Sequence, residues 1–285
     1  MNPSVSVVLM AHPSRAHMVP SVVEALDREP VIVWDDPSRR NDPWPNGRQA
    51  LLAFDPAATH CAILQDDAIL CRDLVSGLER ALEHVPAGTP VGLYVGRARP
   101  RHDYVAGRVA LQPDASWLIM RGPWWGVGLV LPTGDIPRLV ESADRETVKS
   151  YDKRVARWYA RERRDCWYTW PSLVDHRPDH ESLMHAHTDH NRVAFRFLGA
   201  DKSALDVDWS KLPAPAPADP YTATVVRDMP MYVCRACGRG FRNEETALGH
   251  AGKHLVAMSH PVLERTVSVA PRQAGIMAQS GWVRA

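Results

Sequence analysis

Two adjacent carboxylates, Asp66 and Asp67, follow an apolar run at residues 61–64 and a glutamine. Such a run is typical of a buried strand, and the ligands of open α/β sheets bind at the carboxyl ends of strands. Paired carboxylate oxygens suit Mg²⁺ or Mn²⁺, and either ion can hold a diphosphate and neutralise charge on a departing nucleoside diphosphate. The pair therefore indicates metal-assisted group transfer. The plainer alternative is that both acids only cap the turn that follows.

Four metal-ligand residues near the C-terminus form a second constellation. They are Cys234, Cys237, His250 and His254, and their spacing, C-x2-C-x12-H-x3-H, is that of a ββα zinc finger. Two thiolates and two imidazoles are a ligand set that tetrahedral Zn²⁺ prefers. We therefore predict a C₂H₂ finger over residues 230–260, with a structural zinc ion that the finger needs in order to fold.

The finger carries few side chains suited to reading DNA. The helix positions that face bases in DNA-reading fingers fall on Asn243, Thr246 and Gly249, and glycine offers nothing to a base edge. Glu244 and Glu245 lie beside them and would repel phosphate. Because one finger covers only about 3 base pairs, sequence-specific reading by this finger alone is not favoured. It could instead position a nucleic-acid substrate, bind a protein partner or clamp the C-terminus onto the rest of the chain.

Strand and helix patterns alternate through the N-terminal part of the chain. The predicted strands lie at residues 5–10, 31–34, 61–64 and 91–95, and the predicted helices at residues 18–26 and 73–85. This alternation predicts an α/β fold with a mostly parallel sheet and flanking helices. Further on, the pattern predicts a strand at residues 127–131, a helix capped by Asp135, and a basic amphipathic helix at residues 147–164.

Three segments, taken in order, resemble glycosyltransferases of the GT-A type. Residues 65–67 (QDD) are similar to the D-x-D or E-D-D metal motif, and Trp124-Trp125-Gly126 is similar to the aromatic-glycine segment before the acceptor side. Residues 170–176 (WPSLVDH) with residues 182–183 resemble a P-S-L-x-x-H…S-L segment of some N-acetylglucosaminyltransferases and of phage-encoded glycosyltransferase-like proteins. The resemblance covers roughly residues 1–200 and implies a Rossmann-like GT-A fold with a mixed, mostly parallel sheet.

The resemblance implies a role for each residue of the reaction centre. Asp67 would bind Mn²⁺ or Mg²⁺, Asp66 would support it or contact the ribose, and His176 would supply a third contact to the metal or the diphosphate. Asp152 would be the base that deprotonates the acceptor hydroxyl in an inverting transfer. The alternatives are a hydrogen-bonded loop histidine at position 176 and a helix-capping acid at position 152.

The nucleotide side of the site is implied by the same resemblance. His12 and Arg15 follow the first strand, and Arg15 would contact the diphosphate. Asp35 or Asp36 would contact the base or ribose, and Arg48 is a further candidate. The alternative for each is ordinary turn chemistry, because Asp-Asp-Pro and Asn-Gly are turn signals. A nucleotidyltransferase would need a glycine-rich loop after the first strand, and residues 12–15 (HPSR) contain no glycine.

Composition limits the class of protein. The chain has 285 residues and a net charge of +1, so no global charge draws it to nucleic acid or to an anionic membrane. No signal peptide and no apolar stretch long enough to span a membrane stands out, which predicts a cytoplasmic protein with no membrane partner, or one in the host cytoplasm if a phage encodes it. Five cysteines, an odd number, indicate a reducing compartment.

We expect four segments: a GT-A domain at 1–210, a Pro/Ala-rich linker at 211–229, the finger at 230–260 and a tail at 261–285. The donor would be a nucleoside-diphosphate sugar. Arginines in residues 97–108 and the basic helix favour DNA with a hydroxylated or hydroxymethylated base as the acceptor. The neutral net charge favours a protein, such as a virion component, or a small molecule. A third hypothesis is a non-catalytic zinc-finger protein that binds nucleic acid.

Overall fold

The computed structural model describes residues 2–38, 42–97, 105, 114–177 and 192–213, and the backbone of the strands between residues 221 and 241. Contacts divide the chain into two compact units. The first is Met1–Gly96 with Ser116–Leu212, and the second is Arg97–Ala115 with Pro213–Ala285. Within the described residues, no helix is long and apolar enough to cross a membrane.

A seven-stranded mixed sheet forms the centre of the first unit. Its strands are β1 Val5–Ala11, β2 Val31–Trp34, β3 His60–Gln65, β5 Val91–Gly92, β6 Trp117–Arg121, β7 Gly128–Pro132 and β8 Asp165–Thr169, in the order β2-β1-β3-β7-β5-β8-β6. β1 runs parallel to both β2 and β3, and β5 is parallel to β8. β7 and β6 run antiparallel to their neighbours. The predicted α/β class is therefore confirmed, with a mixed sheet compatible with a Rossmann-like fold.

Helices cover both faces of this sheet. They are α1 Val19–Glu24, α2 Trp44–Leu52, α3 Leu74–Leu82, α4 Ile136–Asp144 and α5 Tyr151–Arg161. Successive residues of a strand point to opposite faces. In β1, accordingly, Leu9 belongs to the core that α3 covers, and Val8 belongs to the core that α4 and α5 cover. Two cores, one on each face, hold the central strands rigid and so fix whatever follows their ends.

A separate two-stranded antiparallel ribbon lies after β3. It pairs β4 Ala68–Leu70 with β9 Val174–His176, and Ala68 faces His176. No periodic pattern predicts strands this short, and neither was expected from the sequence. The ribbon brings residues from the two halves of the first unit together.

Several local expectations need correction. The helix expected at residues 147–164 forms only over Tyr151–Arg161, and the strand expected at 91–95 only over Val91–Gly92. Asp135 precedes α4, but its side chain makes no cap and instead accepts from Tyr159 and pairs with Arg164. The Asn-Gly pair at 46–47 lies inside α2 and not in a turn.

The second unit contains a three-stranded antiparallel sheet, β10 Tyr221–Val226, β11 Met229–Cys234 and β12 Gly240–Phe241. β10 occupies part of the segment expected as a linker. β11 and β12 flank the Cys-x-x-Cys pair, and Cys234 is the last residue of β11. The predicted zinc ligands Cys237, His250 and His254 lie outside the described residues, so the finger stays a prediction.

Candidate active site

The two carboxylates lie at the carboxyl ends of β1 and β3. These strands pair in parallel, with Met10 opposite Gln65, and the Asp66 N–H donates to the Met10 carbonyl at 3.0 Å. Both acids are buried, each with only 3% of its surface exposed. Two central strands that end side by side thus hold Asp66 and Asp67 in fixed positions, which is the arrangement the sequence predicts for a ligand site.

Arg15 lies between the two carboxylates. It ends the short 3-10 helix Pro13–Arg15 that follows β1, and it is itself buried. Its Nη1 is 3.1 Å from Asp66 Oδ1 and 3.0 Å from Asp67 Oδ2. The backbone N–H of His12 donates to Asp66 Oδ2 at 2.7 Å, while the His12 ring accepts from the N–H of Ser14. His12 therefore contributes to the site through its backbone, and its ring caps the short helix.

The β4–β9 ribbon brings His176 to Asp67. The Arg177 N–H donates to the Asp67 carbonyl at 3.0 Å, and His176 Nδ1 lies 3.6 Å from Asp67 Oδ2. That separation is longer than a hydrogen bond. On the other side of the ring, Arg192 Nη2 lies 3.4 Å from His176 Nε2.

The contact with Arg192 bears on the role of His176. Because arginine can only donate, His176 Nε2 must accept, and a neutral imidazole then carries its proton on Nδ1. In this tautomer Nδ1 faces Asp67 as a donor. Such a donor suits a phosphate oxygen or the Asp67 carboxylate. Metal ligation through Nδ1 would require the other tautomer and a different partner for Arg192.

Burial and charge act in opposite directions on the two carboxyl groups. Burial raises the pKa of Asp66, and Arg15 only partly offsets this. Burial also acts to raise the pKa of Asp67, but His176, Arg15 and Arg192 outweigh it and hold that pKa well below its ordinary value. Asp67 therefore carries its charge at neutral pH, as a ligand for a hard cation must.

Two buried atoms of this site lack a hydrogen-bond partner among the described residues: Asp67 Oδ1 and His176 Nδ1. An unpaired buried polar atom costs about 1–3 kcal/mol, so these two atoms are candidates for contact with a bound group. Mg²⁺ and Mn²⁺ take one or two carboxylates and complete their shells with phosphate oxygens and water. Asp67 Oδ1 is an oxygen of the kind that such an ion would use.

The Trp-Trp-Gly segment runs past the end of β3. The Gln65 N–H donates to the carbonyl of Val127 at 3.3 Å, which fixes the segment beside the acid pair. The Tyr151 hydroxyl donates to the Gly126 carbonyl. A Cβ at position 126 would lie 2.9 Å from the Tyr151 hydroxyl and 3.0 Å from Asp152 Cβ, so glycine is needed there for α5 to come this close.

Asp152 lies in the first turn of α5 and is half-buried. Its Oδ1 accepts from the Ser150 hydroxyl and from the Lys153 N–H. Both contacts use the same oxygen, and among the described residues Oδ2 accepts no hydrogen bond. This geometry is compatible with both interpretations of Asp152: a local hydrogen-bonding role in the first turn of α5, and a base beside Gly126.

Aromatic side chains border the site on the same side. The Tyr94 ring packs edge-on against Trp125, at 5.9 Å between centroids, and against His176, at 5.2 Å. Trp125 in turn contacts Trp124, and the Trp124 N–H donates to the Tyr168 hydroxyl at 2.6 Å. Both tryptophans remain partly exposed, so they can offer an apolar surface to an acceptor.

The remaining predicted residues lie in two different places. The Asp35 N–H donates to the carbonyl of Ala11 at 2.8 Å, so Asp35 lies beside the end of β1. Arg48, on α2, donates from Nε to both carboxylate oxygens of Asp144 at 3.0 Å, and Trp44 shares that carboxylate. Arg48 is thus engaged in joining α2 to the end of α4.

Sequence reasoning missed three residues of the site. Arg177 directly follows the predicted His176, and its Nε is buried with no partner in the described part of the chain. That adjacency could have signalled it, because a diphosphate site needs several donors. Arg192 and Tyr94 carry no local signal, since only the folded sheet and ribbon bring them to His176.

The comparisons with known proteins give no independent assignment: no protein-family model matches the chain, and no curated protein matches it. The site geometry and the resemblance of the three segments are therefore what a functional proposal must rest on.

Proposed function

We propose that this chain is a glycosyltransferase that moves a sugar from a nucleoside-diphosphate donor to an acceptor hydroxyl. The observation that carries the proposal is the buried pair Asp66–Asp67 at the carboxyl ends of β1 and β3, in which Asp67 Oδ1 has no partner among the described residues. A charged carboxylate with one oxygen available at this edge of a sheet is what a divalent cation shared with a diphosphate needs.

The residues around the pair support binding of a nucleoside diphosphate. The guanidinium groups of Arg15 and Arg192 lie beside Asp67 and His176, and such groups bind phosphate oxygens with paired donors. Arg177 contacts Asp67 through its backbone N–H, and its guanidinium donates to the Ser21 hydroxyl. Asp35 lies at the neighbouring strand end, where it would accept from a ribose or base. In the proposed complex, His176 donates from Nδ1 to a phosphate oxygen.

The proposed metal is Mn²⁺ or Mg²⁺, held by Asp67 Oδ1 with support from Asp66. When bound, it would neutralise the charge that develops on the leaving diphosphate. The chain's own part is to bind and orient. Asp67 and the arginines fix the diphosphate, and the partly exposed Trp124 and Trp125 hold the acceptor beside Gly126. Asp152 Oδ2 would take the proton of the acceptor hydroxyl as it attacks the anomeric carbon.

Most of the residues that bear on the identity of the acceptor lie outside the described part of the chain. DNA carrying a hydroxylated or hydroxymethylated base is our first candidate, because the finger motif and the arginines of residues 97–108 would offer phosphate contacts. A protein or small-molecule hydroxyl is the other candidate. A non-catalytic nucleic-acid-binding protein would have no need of a buried Asp67 oxygen that has no partner in the described part of the chain.

The test is release of nucleoside diphosphate from a panel of nucleotide sugars with Mn²⁺. Wild type is compared with Asp67→Asn and with the matched exposed control Asp201→Asn, whose side chain is 78% exposed. Each is assayed with hydroxymethylated DNA, plain DNA or no acceptor. We expect metal-dependent release in wild type and in the control, and loss of it in Asp67→Asn. Folded, zinc-loaded wild type that releases nothing from any donor would overturn the proposal.

A further inference from the structure

Arg15 occupies the position in which a cation would bridge the acid pair. A single nitrogen, Nη1, contacts one oxygen of each carboxylate, at 3.1 Å and 3.0 Å. All three side chains are at least nine-tenths buried. A divalent ion held by Asp67 Oδ1 and by Asp66 would use Asp66 Oδ1, because Asp66 Oδ2 already accepts from the His12 N–H. It would therefore share Asp66 Oδ1 with the Arg15 guanidinium.

The ion and the guanidinium would set two positive charges side by side on one oxygen of a buried site, where such repulsion is little screened. Each therefore weakens the binding of the other to the acid pair. When Arg15 leaves the pair, it remains attached to the short helix after β1, next to the phosphate-binding side of the proposed site.

We propose that Arg15 is a built-in competitor of the metal. It neutralises the acid pair when no donor is bound, and it transfers to the diphosphate when the divalent ion takes its place. The inference rests on the metal site of the proposed function, and it adds a specific property. The ion and the diphosphate must bind cooperatively, because the diphosphate offers Arg15 a new anionic partner and so lowers the cost of vacating the pair.

The test measures Mn²⁺ binding to the zinc-saturated full chain by calorimetry, without any sugar donor. The variants are Arg15→Gln, Arg15→Lys, and the matched control Arg28→Gln, which removes an arginine that pairs with Glu79 outside the site. We expect Arg15→Gln to bind Mn²⁺ at least about tenfold more tightly than wild type, the ratio that corresponds to removing one competing charge-assisted contact. Arg15→Lys should lie nearer to wild type, and the control should equal it.

Inorganic pyrophosphate then probes the cooperativity. In wild type it should tighten Mn²⁺ binding more than in Arg15→Gln, and a double variant with Asp67→Asn should lose the gain. Mn²⁺ should also raise the melting temperature of Arg15→Gln more than that of wild type, because the variant leaves the buried acids unpaired until the ion binds. This readout reports whether the variant is folded.

Equal Mn²⁺ affinity in wild type and Arg15→Gln, or weaker binding in the variant, would overturn the inference. The outcome is separable from that of the sugar-transfer assay. If Arg15→Gln binds Mn²⁺ more tightly but the wild type transfers no sugar, Arg15 competes with the metal and the proposed reaction is wrong. If the wild type transfers sugar but Arg15→Gln leaves the Mn²⁺ affinity unchanged, the reaction stands and the competition does not.

Discussion

Two acids in the same unit, the buried Asp67 and the partly buried Asp135, have opposite surroundings. Asp135 is fully matched: Tyr159 donates to one oxygen at 2.9 Å, and Arg164 pairs with both. Asp67 has Arg15 on one oxygen, while its other oxygen is buried with no partner in the described residues. A satisfied acid stabilises the fold around it, whereas an unsatisfied one is retained for something that binds. On this difference we base the proposal that Asp135 has a structural role and Asp67 a functional one.

The largest expected effect comes from exchanging each acid for its amide. Asp67→Asn should lower sugar transfer at least about a thousandfold, because a metal contributes several kcal/mol of charge stabilisation. Its free energy of unfolding should fall by less than that of Asp135→Asn, since Arg15 keeps Asp66 and the amide also removes a buried charge. Asp135→Asn should keep its activity but lose about 1–3 kcal/mol of stability. Urea unfolding and the transfer assay, run on both variants, measure these opposite effects on stability and activity. Loss of activity in Asp135→Asn with full activity in Asp67→Asn would contradict the comparison.

A second prediction concerns Asp152, the proposed base of the reaction. Asp152→Asn removes the proposed base and should lower kcat by about 10²–10⁴ while Mn²⁺ affinity stays at the wild-type value. Single-turnover transfer with saturating donor, beside Mn²⁺ titration, measures both. The matched control is Glu162→Gln, an exposed acid just after the other end of α5. If kcat is unchanged in Asp152→Asn, the acid serves only the first turn of the helix.

Gly47 tests how strongly the scaffold holds the site. A Cβ there would lie 2.4 Å from Tyr151 Cβ and would push α2 away from α5. Gly47→Ala should therefore cost about 1–3 kcal/mol of stability and also reduce transfer, since Tyr151 adjoins Asp152. Gly134→Ala is the matched control, with no atom within 4 Å of the new Cβ, and should be near neutral. Equal melting temperatures for the two variants would contradict the packing argument.

Asp27 gives the smallest effect and depends on pH. Its carboxylate accepts from the N–H groups of Val75 and Ser76 at 2.8 Å and so caps α3. Burial acts to raise the pKa of Asp27, but a hydrogen bond with the Ser76 side chain, together with these N–H groups, lowers that pKa below the ordinary value of 3.8. The stabilisation is present above that value and is lost as pH falls through the lower, folded pKa. Asp27→Asn should cost about 1 kcal/mol near neutral pH, and in urea unfolding the difference should shrink in acid.

Local patterns predicted the parts of the site that follow from one strand or one helix. The apolar run before Asp66 and Asp67 predicted a buried strand, and β3 ends at Gln65 as that run indicates. The amphipathic pattern of α3 was also sufficient. In each case the period of the apolar residues matches the geometry of a single element, so no knowledge of distant residues was needed.

Contacts between residues that are far apart in the sequence could not be predicted from these local patterns. Arg48 meets Asp144, 96 residues away, and Asp135 gives up its expected cap for Tyr159 and Arg164. Asp73, expected at the start of a regular helix, has a left-handed φ of 53°. These choices depend on which side chains the fold brings together, and nothing in the neighbouring sequence specifies them.

The β4–β9 ribbon has a consequence for synthesis of the chain. Ala68 and His176 face each other although more than a hundred residues separate them. On the ribosome, the acid pair is made long before its histidine and arginine neighbours leave the tunnel. Closing so long a loop early would be entropically costly, so we expect the site to be completed late. Until then the nascent chain can bind no donor, and fragments that end before residue 174 should be inert.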